Sequence, residues 1–239
     1  MPLQTVEQPQ RLYRQIADQV RALITQGEFK PAERLPAERD LARQLGVSRP
    51  SVREALIALE VEGWVEVRTG SGVYVKGRPR NGDASHAAVT PTEWGPLELI
   101  RARKVIEGEV AALAAANAKR RDIDAIGRAI ASMQADADEG TMPLEGDRAF
   151  HAAIATAAGN TILLETVQAF WDARRGPIFE RLGGHFETVA SWRKAIAEHS
   201  AVLEAIESRA PQAARTAMHS HMDKAHARFS ASWRRTRSS

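Results

Sequence analysis

The tripeptide Gly46-Val47-Ser48 constrains this sequence more than any other feature. Before it, a short helical pattern runs from about Pro36 to Leu45, with Leu41 and Leu45 on one face. After it, Val52, Leu56 and Leu59 repeat at helical spacing until Gly63. Ser48 suits the start of that second helix because its hydroxyl can accept an orphan amide of the first turn. Pro50 is tolerated because it too sits in the first turn. Upstream, Leu12, Ile16, Val20, Leu23 and Ile24 form another helical stripe, stopped by Gly27. Downstream, Trp64-Val65-Glu66-Val67-Arg68 alternates with period two, Thr69-Gly70-Ser71-Gly72 turns, and Val73-Tyr74-Val75 returns as a hairpin. Three helices and a hairpin within residues 1–76 predict a winged helix-turn-helix.

Residues 77–94 are rich in Gly, Pro, Ser, Thr and Asn and read as a linker. From 95 to 239 the pattern is helical, with no strand-like alternation. Helices are expected near 96–119, 122–138, 143–158, 160–182, 187–208 and 210–236, with breaks at Gly140, Gly159-Asn160, Gly183-Gly184 and Ala210-Pro211. The predicted fold class is therefore mainly α: a winged helix-turn-helix followed by an all-α helical bundle.

Net charge is only +3, so placement matters more than the total. Arg34, Arg39, Arg43, Arg49 and Arg53 fall within twenty residues, against Glu38 and Asp40. Such a cluster reads either as a phosphate-binding face or as a solvated one. Placed in a helix-turn-helix, the second helix would lead into the major groove with its N-terminal residues Ser48, Arg49, Ser51 and Arg53. Arginine there can pair bidentately with guanine, and serine hydroxyls suit phosphate.

The elements LPAER (35–39), VSR (47–49), VREAL (52–56), EGW (62–64) and the wing glycine occur in order, and over residues 11–76 the chain resembles the GntR family of bacterial regulators. The resemblance implies DNA contacts at Arg39, Arg49, Arg53 and Gly70, double-stranded operator DNA as partner, and a homodimer. Arg43 is expected to face solvent.

Six of the seven histidines lie in the second half. Asp147 and His151 are one helical turn apart on the apolar face that carries Phe150 and Ile154. His199 interrupts the stripe Ala195, Ile196, Val202, Leu203, Ile206, and His221 interrupts Ala214, Ala217, Met218, Ala225. A core-facing carboxylate with three imidazoles reads either as hydrogen-bonded core or as ligands of a divalent metal, with Zn, Ni or Mn suited to that donor set. The elements Asp147-x-x-Phe150-His151, Glu198-His199 and Met218-x-x-His221 resemble the FCD-type domain of the FadR subfamily. That resemblance implies Asp147, His151, His199 and His221 as the metal ligands, and it leaves out His86, His185, His219 and His226.

Arg103 lies on the Leu99, Ile106, Val110 face and matches the subfamily's R-x-x-x-E element, with Glu107 as the acid. Two readings stay open: a clamp for an effector carboxylate, or an internal pair with Glu107. Phe170-Trp171-Asp172-Ala173-Arg174 is loosely similar to hexuronate-utilisation repressors, which implies effector contacts at Trp171 and Arg174. Together these features predict a repressor controlled by a small carboxylate such as a hexuronate. Lactate or citrate is the alternative effector, and a metal-dependent hydrolase on a DNA anchor is the alternative class. Against the hydrolase, the sequence has no H-E-x-x-H and no Gly-rich phosphate loop. The absence of cysteine points to the reducing cytoplasm, and no run is long and apolar enough for a membrane span.

Overall fold

The structure is a computed structural model that describes residues 11–77 and 93–230. Most of the expected linker, His86 with it, and the last residues expected in the final helix lie outside the described residues. The described chain divides into two compact units, one containing residues 11–97 and 176–185, the other 98–175 and 186–230.

The first unit opens with α1 (Leu12–Gln26), α2 (Glu38–Leu45) and α3 (Arg49–Val61), followed by the hairpin β1 (Val65–Arg68) and β2 (Gly72–Val75). Gly46 ends α2 in the left-handed region at φ 66, which lets the chain turn into α3 within three residues. Ser48 caps α3 through its side chain on the Ser51 amide. In α1 the buried row is Tyr13, Ile16, Ala17, Val20 and Ile24. Leu12 and Leu23, expected inside, are exposed, because the buried row passes through their neighbours Tyr13 and Ile24. Val65 pairs with Val75 and Val67 with Val73, and all four valines point into the core. The segment before α2 adds an edge to the hairpin: the Ala32 and Leu35 amides donate to the Val75 and Val73 carbonyls.

The second unit begins in α4 (Pro96–Asn117) and continues through α5 (Arg120–Asp138), α6 (Leu144–Ala157) and α7 (Thr161–Ala173). After α8 (Pro177–Phe186) it resumes with α9 (Val189–Glu207) and α10 (Pro211–Phe229). Helix α5 packs on α6 and α9, α6 on α7, and α9 on α10. Ile126, Met133, Phe150, Ile154, Val202 and Met218 fill the core between them. Gly108 lets α10 approach α4, since a Cβ there would stand 2.2 Å from His219 Nε2.

The single helix expected over 160–182 is two helices. Pro177 has no amide hydrogen and disfavours helical geometry at Gly176, so the break falls there. Helix α8 then runs through Gly183-Gly184, where a break was expected. Two glycines cost about 1 kcal/mol each in a helix, and burial of Ile178, Phe179 and Leu182 offsets that cost.

Helix α8 packs within the first unit. Glu60, in the last turn of α3, accepts the Val67 amide at 2.9 Å and Arg181 Nη2 at 2.8 Å, and stands 2.6 Å from His185 Nε2. Glu93 accepts the Ile178 amide at the start of α8, and Glu54 of α3 accepts the Leu97 amide at the start of α4. A carboxylate, buried at Glu54 and half-buried at Glu93, thus satisfies an orphan amide at the start of each helix.

Candidate functional site

The first unit exposes one cationic edge. Arg39 and Arg49 keep most of their side chains in solvent, at 80% and 52%. With Arg34, Glu38, Asp40 and Gly72 they line a cleft of about 280 Å³ between the starts of α2 and α3 and the wing. Ser48 is exposed beside Arg49, and Gly70 is exposed at the tip of the wing. Arg43 is exposed on α2 and paired with Asp40 at 3.0 Å.

Arg53 does not share that edge. It is 2% exposed, and its Nε and Nη2 each lie 2.7 Å from a Glu38 carboxylate oxygen. The expectation that Arg53 stands in the groove therefore needs amending: in this structure it is a strut between α2 and α3. Glu38 lies 15 residues away in sequence, so helix periodicity alone did not pair the two. Ser51 is also buried, with its hydroxyl 2.8 Å from that of Ser48.

The second unit buries a polar cluster in its core. Asp147 and His151 come from α6, His199 from α9 and His221 from α10, and all four are buried. One ligand atom from each lies within 4.8 Å of the others. His199 Nε2 stands 3.1 Å from both Asp147 Oδ1 and His221 Nε2, and His151 Nε2 stands 3.4 Å from Asp147 Oδ1. Ligand atoms about 2.1 Å from a shared cation stand roughly 3.0 Å apart at right angles and roughly 3.4 Å apart at the tetrahedral angle. These three spacings, 3.1, 3.1 and 3.4 Å, fall close to those values. Asp147 Oδ1 and His151 Nε2 are buried without a well-formed hydrogen bond among the described residues. The donor set and its orphaned atoms therefore fit a divalent cation.

The electrostatics of Asp147, His199 and His221 agree. Burial pushes Asp147 up, but His151 and His199 outweigh it and hold the carboxyl well below its usual range. Burial lowers His199, against the pull of Asp147. Burial and then repulsion from His199 and His151 hold His221 well below the usual imidazole value. His199 and His221 are thus neutral and able to offer lone pairs. His151 is raised: burial opposes its charge, but Glu107 and Asp147 favour it.

A surrounding layer of charged groups, unassigned from sequence, holds this cluster. Glu198 Oε2 accepts from His221 Nδ1 at 2.9 Å, and its Oε1 accepts from Arg228 at 3.0 Å. Glu107 Oε1 accepts Arg103 Nε at 2.5 Å, and its Oε2 lies against His151 Nδ1. The sequence signal for Glu198 was its place beside His199 on α9. Glu107 was foreseen only as the possible partner of Arg103.

Arg103, Trp171 and Arg174 meet at this cluster. The Arg103 guanidinium lies 5.1 Å and that of Arg174 4.4 Å from the Trp171 ring centre. His151 stands 5.6 Å from the same ring. Arg174 bonds Asp147 at 2.9 Å and Glu187 at 3.4 Å. Arg103 makes the internal pair of the second reading, through Nε to Glu107, while its Nη2 is buried with no hydrogen-bond partner among the described residues. Trp171 Nε1 is orphaned in the same way. His219 takes no part in the cluster and packs against Gly108.

Comparison with known proteins agrees with this two-part architecture. Residues 12–75 match the family described as "Bacterial regulatory proteins, gntR family", and residues 98–224 match the FCD domain. The Exu regulon transcriptional regulator of Escherichia coli K12 is 37% identical over 91% of this chain and 84% of its own length. The putative L-lactate dehydrogenase operon regulatory protein of the same strain is 33% identical over 91% of this chain and 86% of its own. A solved structure, E. coli McbR/YncC, shares the fold with a TM-score of 0.51 at 24% identity, covering 92% of this chain and 97% of that one. No helix among the described residues is long and apolar enough to cross a membrane. These relatives are regulators, which sets the hydrolase alternative aside: the chain belongs to the GntR family of bacterial transcriptional regulators and carries an FCD domain.

Proposed function

We propose that this regulator is a homodimeric repressor whose hold on its operator is set by a small carboxylate bound in the FCD domain, with a hexuronate as first choice. Asp147, His151, His199 and His221 would hold a divalent metal, Zn, Ni or Mn. When bound, that ion would supply a positive centre for an effector oxygen. The observation that carries the reading is the buried, unpartnered Nη2 of Arg103 beside this cluster. Leaving a buried charged donor unsatisfied costs more than about 1–3 kcal/mol, and an anion that accepts its hydrogen bond removes the cost. Trp171 Nε1 offers a second donor, suited to a hydroxyl, and the Arg174 guanidinium lies 4.4 Å from the centre of the same ring.

The hexuronate choice rests on the Phe170–Arg174 run and on the Exu regulon relative. The lactate operon relative favours a second reading, lactate. At the DNA, Arg39, Arg49, Ser48 and the Gly70 wing tip are the contacts. Arg53 and Ser51 hold the recognition helix in place.

Operator anisotropy with the zinc-loaded protein tests the whole reading. D-galacturonate or D-glucuronate should release the operator, with lactate and citrate as comparisons, and Arg103→Ala should keep operator binding but lose the response. Release by a neutral or lipid ligand that survives both chelation and Arg103→Ala would overturn it.

A further inference from the structure

Glu107 touches both halves of the site. It sits on α4 one turn after Arg103, is 2% exposed, and divides its two oxygens between Arg103 Nε and His151 Nδ1. It is thus a buried side chain with two claims on it. Each contact has a directional consequence. A guanidinium is planar and rigid, so a bond at Nε fixes where its other donors lie, and here Nη2 among them is the orphan donor. An imidazole tied by Nδ1 turns Nε2 away from the tie, and here Nε2 faces Asp147 Oδ1 at 3.4 Å. The His221–Glu198 pair repeats the second arrangement without any link to Arg103. Neither His151 Nδ1 nor His199 Nδ1 has a well-formed hydrogen bond among the described residues, but His151 Nδ1 lies in ion-pair contact with Glu107 and His199 Nδ1 has no such contact among them.

We propose that Glu107 is a positioning residue shared by the metal and effector halves of the site: one oxygen aims the Arg103 donor at the anion, and the other aims His151 Nε2 at the metal. The proposal rests on the reading above and adds a coupling to it. An anion on Arg103 draws the guanidinium's charge away from Glu107, whose hold on His151 then strengthens. Zinc and anion should therefore tighten each other's binding, by the same factor in both directions. A glutamine at 107 has one accepting atom, so it cannot serve Arg103 and His151 together.

The experiment compares the full-length native protein with Glu107→Gln and Glu198→Gln. Zinc affinity is read by competition with a chromophoric chelator, and anion binding by calorimetry at saturating zinc with D-galacturonate and acetate as probes. Both variants should lose zinc affinity by roughly 10–100-fold, as loss of a carboxylate behind a ligating histidine does. Only Glu107→Gln should also weaken the anion at saturating zinc and abolish the mutual tightening. A Glu107→Gln protein with native zinc affinity, or with native anion affinity, would overturn the proposal.

Should that variant fail to fold, histidine ring 15N spectra of the native protein decide. His151 should carry its proton on Nδ1 in the zinc-loaded form, and a His151 bound to zinc through Nδ1 would overturn the proposal. A native protein that takes up no zinc sinks the metal reading separately. The metal-free spectrum then decides for Glu107, since a His151 Nδ1 without a proton would overturn its role.

Discussion

Two arginines four residues apart on α3 show how much depends on the partner. Arg49 is in solvent with Glu38 no nearer than 3.8 Å, whereas Arg53 is locked on that carboxylate. Arg49→Ala should therefore cost about 1–3 kcal/mol of operator affinity and relax base preference, read by anisotropy on operator variants. Arg53→Ala should act on the fold, because it leaves Glu38 charged and buried with only Arg49 at 3.8 Å, a loss approaching about 3–5 kcal/mol. A thermal melt separates the two outcomes: a native melting temperature for Arg53→Ala with lost operator affinity would return Arg53 to the groove. In the second unit the corresponding contrast is His199 against His219. His199→Ala should abolish zinc uptake by elemental analysis, and His219→Ala should retain it. Asp147, His151, His199 and His221 were legible in the sequence because each breaks an apolar stripe at helical spacing, and a break in periodicity is a local signal. The pairing of Arg53 with Glu38 was not legible, since it depends on the angle between two helices. Nor was the tie between Glu107 and His151, which join helices 44 positions apart in the chain.

At the scale of elements, the winged helix followed from turn chemistry and period, and the structure keeps it. The sequence reading puts a break at Gly183-Gly184, whereas the structure separates α7 from α8 at Gly176-Pro177. Proline removes a donor and restricts its neighbour, while a glycine pair only adds entropy, so the proline should have decided. Glu60 joins α3, β1 and α8 through one carboxylate. Burial pushes it up, but His185, Arg181 and the Val67 amide hold it at about 2, against an ordinary 4.5. A depressed carboxylate contributes stability that is present above its unfolded value and lost as pH falls through the folded one. The contribution from Glu60 is thus whole above about 4.5 and disappears toward about 2. Glu60→Gln should be less stable than native near neutrality, and the gap should narrow in acid. Urea melts across that range measure it, and a gap that is constant with pH would show that Glu60 contributes no charge-dependent stability.

For the whole molecule, metal and operator binding should register as linked equilibria. A metal that binds only the folded chain stabilises it by mass action, so chelation should lower the melting temperature of zinc-loaded protein, and restored zinc should recover it. Releasing an operator 100-fold requires about 2.7 kcal/mol of coupling, and operator DNA must weaken the effector by the same factor. Calorimetry with and without operator fragment checks that equality. The path of the chain sets a further condition on any attempt to take the protein apart. Residues 176–185 pack with the N-terminal unit although the chain on either side of them belongs to the other. A fragment beginning at residue 95 would keep α8 and lose its partners, stranding Ile178, Phe179 and Leu182 in water and Arg181 without Glu60. An isolated C-terminal fragment should aggregate unless those three side chains are made polar. A chimera that exchanges DNA-binding heads at the linker should misfold unless α8 travels with the head, so the unit of recombination in this protein is not a continuous stretch of gene.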